Sequence, residues 1–189
     1  MRWTRLSAAL RGSISFALLC LAACGSDGPR VIPGDVVDGV DTRLANMVID
    51  HNRIRVTASP SPSPALEPVT WDDTLAAEAQ AYAERCNFQH DSNRGPNTGE
   101  NLSVNAPPGW QTGTDVVEGW AEEAEDYDYG SGTCSGVCGH YTQIVWRESM
   151  TIGCGVATCD GIAGFTGGLG EIWVCRYRPA GNVGSRRPY

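Results

Sequence analysis

Apolar residues along this chain recur first at the spacing of helices and only later at that of strands. Leu44, Met47, Val48 and His51 fall about one turn apart, which predicts a helix reaching about Val56. The Pro/Ser stretch Thr57–Pro68 cannot continue it and reads as a long loop inside one domain. Trp71-Asp72-Asp73-Thr74 opens a second helix with an aspartate at the N-cap, and Leu75, Ala79, Tyr82, Ala83 and Cys86 share its apolar face. A third helix is expected from about Asp115 to Asp126, with Val116, Trp120 and Tyr127 as its buried stripe. Thr151–Thr158 and Glu171–Arg178 then carry the β-branched and aromatic residues of strands. The five glycines between Gly161 and Gly170 suit a flexible hairpin loop joining them. Helices first and antiparallel strands last predict an α+β layered domain, and no internal repeat interrupts it.

The first residues follow a different logic. Arg2, Arg5 and Arg11 precede a short apolar run, Ile14 to Leu21, and Leu21-Ala22-Ala23 supplies small residues before Cys24. A charged start, a brief apolar segment and a small-residue cut site make a secretory signal over residues 1–23. The run is too short to span a bilayer. The Leu-Ala-Ala-Cys ending resembles the lipobox of bacterial lipoproteins, in which Cys24 becomes the lipidated first residue; ordinary signal cleavage is the alternative. Residues 25–42, rich in Gly, Asp, Val and Pro, show no helical or strand period and read as a tether. The domain proper is expected over 43–189. Its length of 189 residues overall allows one domain with appendages, and its net charge of −8, with arginine as the sole basic residue type, argues against nucleic acid as a partner.

Cys20 lies in the signal and Cys24 at the cut, so six cysteines remain: Cys86, Cys134, Cys138, Cys154, Cys159 and Cys175. An even set in an exported chain reads as three disulfides, and counting alone leaves all pairings open. With no Cys-x-x-Cys pair, a zinc site built from these residues is disfavoured. The chain has three histidines, His51, His90 and His140. Two carboxylates stand near the last two. Glu100 sits in Gly99-Glu100-Asn101-Leu102, read as a tight turn, and Glu123 falls three residues after Trp120, on the buried stripe of its helix. Glu122 points away and is expected to be solvated. A carboxylate on an apolar stripe needs a partner, because an unpaired buried charge is costly. Two imidazoles and two carboxylates either pair with one another as a structural cluster or hold a divalent metal.

Gly139-His140-Tyr141-Thr142-Gln143-Ile144-Val145-Trp146-Arg147 resembles the first signature of the CAP superfamily of cysteine-rich secretory proteins, antigen five and pathogenesis-related proteins. Ile172-Trp173-Val174-Cys175-Arg176-Tyr177-Arg178-Pro179-Ala180-Gly181-Asn182 resembles the second. His51-Asn52-Arg53-Ile54-Arg55, Leu66 to Trp71-Asp72 and Gly99-Glu100-Asn101-Leu102 match further landmarks, so the likeness runs over about residues 44–189. Thr133 to Cys138 and the terminal Arg187-Pro188-Tyr189 place it nearest the plant pathogenesis-related branch. The resemblance implies a three-layer α-β-α sandwich with a central antiparallel sheet, stapled by Cys86–Cys159, Cys134–Cys138 and Cys154–Cys175. It also implies a cleft lined by His90, Glu100, Glu123 and His140, which in some relatives holds zinc or another divalent ion. Two features depart from the pattern. The loop Thr57–Pro68 is longer and richer in proline, and Asp91 stands where relatives often have serine, adding a negative charge expected to favour a cation beside His90.

Three functions are then open. As an extracellular binding module the domain would take a sterol, fatty acid or other apolar molecule, with Trp110, Tyr127, Tyr129 and Tyr141 as a candidate wall. As a hydrolase it would need a metal-bound water with a glutamate as base, since no Gly-x-Ser-x-Gly elbow is present and the domain's cysteines are expected in disulfides. The third reading takes Pro179 to Tyr189, similar to a stretch that plant relatives release, as a signalling peptide. The binding module is the reading adopted, in an exported protein held to a membrane through Cys24.

Overall fold

The computed structural model describes residues 30–32, 36–37 and 40–189; the signal segment and Cys24 lie outside them. Strands β1 (Arg30–Ile32), β2 (Val36–Val37) and β3 (Val40–Asp41) come first. The stretch expected to be a tether without regular structure therefore contributes strands, and β1 joins the main sheet by pairing antiparallel with Thr158–Asp160. Helix α1 (Met47–Thr57) follows a single 3-10 turn, and β4 (Thr70–Trp71) precedes α2 (Asp73–Ala83). The Asp72 carboxylate caps α2 by accepting from the amides of Thr74 and Leu75. The Pro/Ser loop between α1 and β4 is tied down at several points. Asn52 exchanges two hydrogen bonds with Val69, Arg55 donates to the Glu67 carbonyl, and Arg147 donates to those of Pro64 and Ala65.

Strand β5 (Gly99–Asn105) contains the segment expected to be a turn. Helix α3 is shorter than its pattern suggests: it spans Gly113–Glu122 behind a Thr112–Asp115 capping box, and Glu123–Asp126 tightens into a 3-10 turn. Strands β6 (Tyr127–Asp128) and β7 (Thr133–Cys134) make a small ribbon before α4 (Gly139–Ile144). Strands β8 (Thr151–Ile162) and β9 (Phe165–Arg178) are longer than expected. The glycine-rich stretch is not a flexible loop: it is strand, turning at Ala163-Gly164.

The sheet runs β1-β8-β9-β5, antiparallel except for β4, which pairs parallel with the start of β8. Alternation along β9 assigns its two faces. Ile172 and Val174 pack with Ala79, Tyr82 and Ala83 of α2, and Leu102 of β5 joins them. Trp173, Cys175 and Tyr177 face the opposite layer, with Met47 and Ile54 of α1, Val116 and Trp120 of α3, and Ile144 of α4. The result is an α-β-α sandwich. Helix α2 lies close on β8 because Gly153 and Gly155 leave room: a Cβ on either would fall within 2.3 Å of the backbone of Ala76 or Gln80. Disulfides join Cys86 to Cys159, Cys134 to Cys138, and Cys154 to Cys175, the last between cross-strand neighbours. Among the described residues no helix is long and apolar enough to cross a membrane.

Candidate functional site

Strand β5 closes one edge of the sheet, and the two His–Glu pairs reach it from opposite faces. Glu100 lies directly across from Arg176 of β9 and on the α2 side, since Leu102 two residues on packs against that helix. Its side chain is fully buried. Oε1 accepts from His90 Nδ1 and from the Asp91 amide, both at 2.9 Å. Oε2 lies 3.6 Å from Arg176 Nε, a charge contact that neither atom completes as a hydrogen bond. On the other face, Asn101 donates to the His140 carbonyl at 3.1 Å and so positions the start of α4. Glu123, at the C-terminal end of α3, accepts from His140 Nδ1 at 2.5 Å and from the amides of His140 and Tyr141 at 2.9 and 3.3 Å. Trp120 stacks on the His140 ring, with centroids 5.8 Å apart. Glu123 is half-buried and Glu122 exposed.

A carboxylate only accepts, so each Nδ1 that faces one carries a proton. In its neutral form each of these imidazoles presents an Nε2 lone pair, the form in which imidazole binds metal, with the glutamate as the outer partner that fixes tautomer and ring orientation. Glu123 is spent on this through both oxygens, which serve the imidazole and two backbone amides, whereas Glu100 serves His90 and the Asp91 amide through Oε1 and turns its buried Oε2 towards Arg176. Among the described residues no group of three or more His, Cys, Asp or Glu side chains converges as an ion cage. Each pair thus offers one imidazole nitrogen, and two such nitrogens would suit an open site completed by water, not a closed four-ligand one.

Asp91 does not lend its charge to His90. It is buried, its Oδ1 accepts from the Asn93 amide at 2.9 Å and its Oδ2 from Arg176 at 2.6 Å, and these donors hold its carboxyl below the usual range against the effect of burial. Register explains the pair, since Arg176 shares the α2 face with Glu100; the sequence signal was the even spacing from Ile172 through Val174.

His51, outside the cluster, is wholly buried. Its Nδ1 donates to the Met47 carbonyl at 2.6 Å and its Nε2 accepts from Tyr177 Oη at 2.8 Å. Burial drives its pKa down to about 4. Its ring meets the edge of Trp120, so Trp120 lies between this core histidine and His140.

The candidate apolar wall divides. Tyr127 packs near both Tyr129 and Tyr141, with centroids 6.5 and 6.4 Å apart, whereas Trp110 is 73% exposed on a separate loop. Tyr189 stacks on Tyr129 and its carbonyl accepts from the Tyr129 hydroxyl, so the end of the chain fills that cluster. The terminal stretch is held further by the Arg147 amide on the Pro188 carbonyl and by Asn182 on Gly139 and Thr142. A peptide cut from this end would have to leave all of these contacts.

Paired cysteines, a sheet between helical layers and two glutamate-held histidines at the sheet's edge define a disulfide-stapled α-β-α class of domain. The chain belongs to the cysteine-rich secretory protein family, CAP, whose sequence model matches residues 48–177. It is 38% identical over 182 residues to peptidase inhibitor 16 of Homo sapiens, covering 95% of this chain and 38% of that protein. It is 35% identical over 182 residues to a PR-1 type pathogenesis-related protein of Sambucus nigra, covering 93% of this chain and 94% of that one. The solved structure of Schistosoma mansoni venom allergen-like protein 4 matches with a TM-score of 0.65 at 26% identity, over 79% of this chain and 95% of the other. The chain thus spans well under half of the human peptidase inhibitor's length and nearly the whole of smaller relatives. Disulfides persist in oxidising compartments, and the three bridges suit this domain to one.

Proposed function

We propose that this domain is an extracellular binding module in which His90 and His140 hold a divalent ion, zinc by ligand type, with Glu100 and Glu123 as positioning residues. One observation carries the reading: both imidazoles have Nδ1 fixed by a carboxylate that is itself anchored on backbone amides, which leaves Nε2 as the presented atom. A purely structural cluster would not require the His90 side chain to stay 59% exposed while its glutamate is fully buried. Bound there, the ion would supply a positive charge to an anionic or carbonyl-bearing ligand. Binding is favoured over hydrolysis because Glu123 is engaged through both oxygens by histidine and amide donors, and Glu100, engaged through Oε1, is fully buried with Oε2 beside Arg176, so neither is placed to take a proton from water. Attachment to a membrane through a lipidated Cys24 belongs to the same reading.

Calorimetric titration of zinc into the chelator-treated protein tests it. The double variant His90→Ala, His140→Ala is expected to abolish saturable uptake. Equal heats before and after substitution would make the cluster structural.

A further inference from the structure

On the α2 side of the sheet, next to the Glu100–Arg176 pair, the fold gathers four guanidinium groups around one open cavity of about 460 Å³. They are those of Arg85, Arg94, Arg176 and Arg178, and the lining supplies only two carboxylates, Glu78 and Asp91. A local excess of positive charge is unexpected on a chain whose net charge is −8. The pattern of partners makes it sharper. Asp91 is fully engaged, by Arg176 on Oδ2 at 2.6 Å and by the Asn93 amide on Oδ1 at 2.9 Å. Glu78 Oε2 stands 3.5 Å from both Arg176 and Arg178 and completes a hydrogen bond to neither. Arg176 is itself 5% exposed, and its Nε is without a hydrogen-bond partner.

Two of the arginines are held in place by uncharged groups. Arg94 donates through Nε to the Thr98 carbonyl and through one terminal nitrogen to the Asp91 carbonyl, both at 2.8 Å. Arg178 donates to the Thr98 hydroxyl at 3.1 Å. Both cations therefore sit on the same residue, with donors left over and no carboxylate in hydrogen-bond contact with either. Arg85 lies over the Tyr82 ring, 5.3 Å from its centroid, and makes no ion pair among the described residues. Guanidinium forks of this kind match the geometry of carboxylate and phosphate oxygens, and charge-assisted bonds to them are strong. The cavity's size falls in the range of small-molecule sites.

We propose that this cavity is an oxyanion site for the phosphate or carboxylate head of a small molecule, with Arg94, Arg178 and Arg85 as the contacting cations and Arg176 as the charged floor. Glu78 occupies the place of the anion loosely and competes with it. The site is independent of any metal at the histidines.

Calorimetric titration of the full chain with inorganic phosphate, and separately with succinate, tests this in chelator-treated buffer held at constant ionic strength with sodium chloride. At least one anion is expected to bind saturably. Arg94→Gln with Arg178→Gln should weaken it at least about tenfold, as expected for lost charge-assisted hydrogen bonds. Glu78→Gln should tighten it, an effect that a merely structural Glu78 would not produce. Uptake of phosphate alone identifies a phosphate head, and uptake of succinate alone a carboxylate head. Responses to both anions no larger than that to chloride, an unchanged affinity in the double arginine variant, or weaker binding in Glu78→Gln would each overturn the proposal. Should the double arginine variant misfold, the direction of the Glu78→Gln change decides.

Discussion

The buried His51 makes the protein's stability depend on pH in a defined window. In the folded state the imidazole is enclosed between Met47, Tyr177 and Trp120, and its pKa is about 4 against 6.5 for the free side chain. Between these values the unfolded chain takes up a proton that the folded chain refuses. Stability is therefore intact above about pH 6.5 and falls as the pH drops towards 4, below which this contribution is fully lost. At about 1.4 kcal/mol per pKa unit, the shift amounts to a loss of about 3 kcal/mol. Of the other ionisable groups near the ring, burial raises the Tyr177 hydroxyl well above its ordinary range so that it stays neutral here, and Asp50 and Arg55 of the same helix have opposing influences smaller than that of burial. Urea unfolding with the disulfides intact, at pH 7 and at pH 4.5, measures the loss. His51→Gln keeps a polar partner for Tyr177 and removes the titration. The variant is expected to be less stable at pH 7 and to lose about 2–3 kcal/mol less than wild type on acidification. If the variant loses as much stability as wild type between the two pH values, the acid sensitivity arises elsewhere and the argument fails.

Removing the Cys86–Cys159 bridge by alanine at both positions reopens a separation of 73 residues, and chain entropy predicts a cost of about 4 kcal/mol, read from urea midpoints. Glu100→Gln and Glu123→Gln should each weaken zinc binding by about 10–100-fold in calorimetry while leaving the fold's circular dichroism unchanged; undiminished affinity would remove the glutamates from the site. Cys24→Ser should move the protein from the membrane fraction to the soluble one, and an unchanged membrane fraction would exclude lipidation there.

The helices and the site differ in how far they were legible from sequence. Asp72 announced α2 because its side chain replaces amide partners that no backbone group can supply. The four residues of the cluster were visible in motifs, but their division into two pairs was not. That division follows from β5, whose Glu100 and Asn101 point to opposite faces of the sheet. The strand itself escaped detection because both of its faces are largely covered, so Gly99 to Leu102 are all buried and show no alternation of polar and apolar residues. A similar effect hid the length of β8 and β9. Gly161, Gly167, Gly168 and Gly170 look like loop residues, whereas they lie within the paired strands on either side of the turn at Ala163-Gly164. The neutralisation of Asp91 by Arg176 depends on a contact between residues 85 positions apart, which only the register of the sheet brings together.

The account rests on which atom of each histidine is offered to a ligand. Crystals of the protein soaked in zinc and measured at the zinc absorption edge would show this directly. The expected result is an anomalous peak about 2.0–2.1 Å from Nε2 of both His90 and His140, with Nδ1 of each still on its glutamate. Zinc bound through Nδ1 or through the Glu100 or Glu123 carboxylates, or no peak at either imidazole, would contradict it.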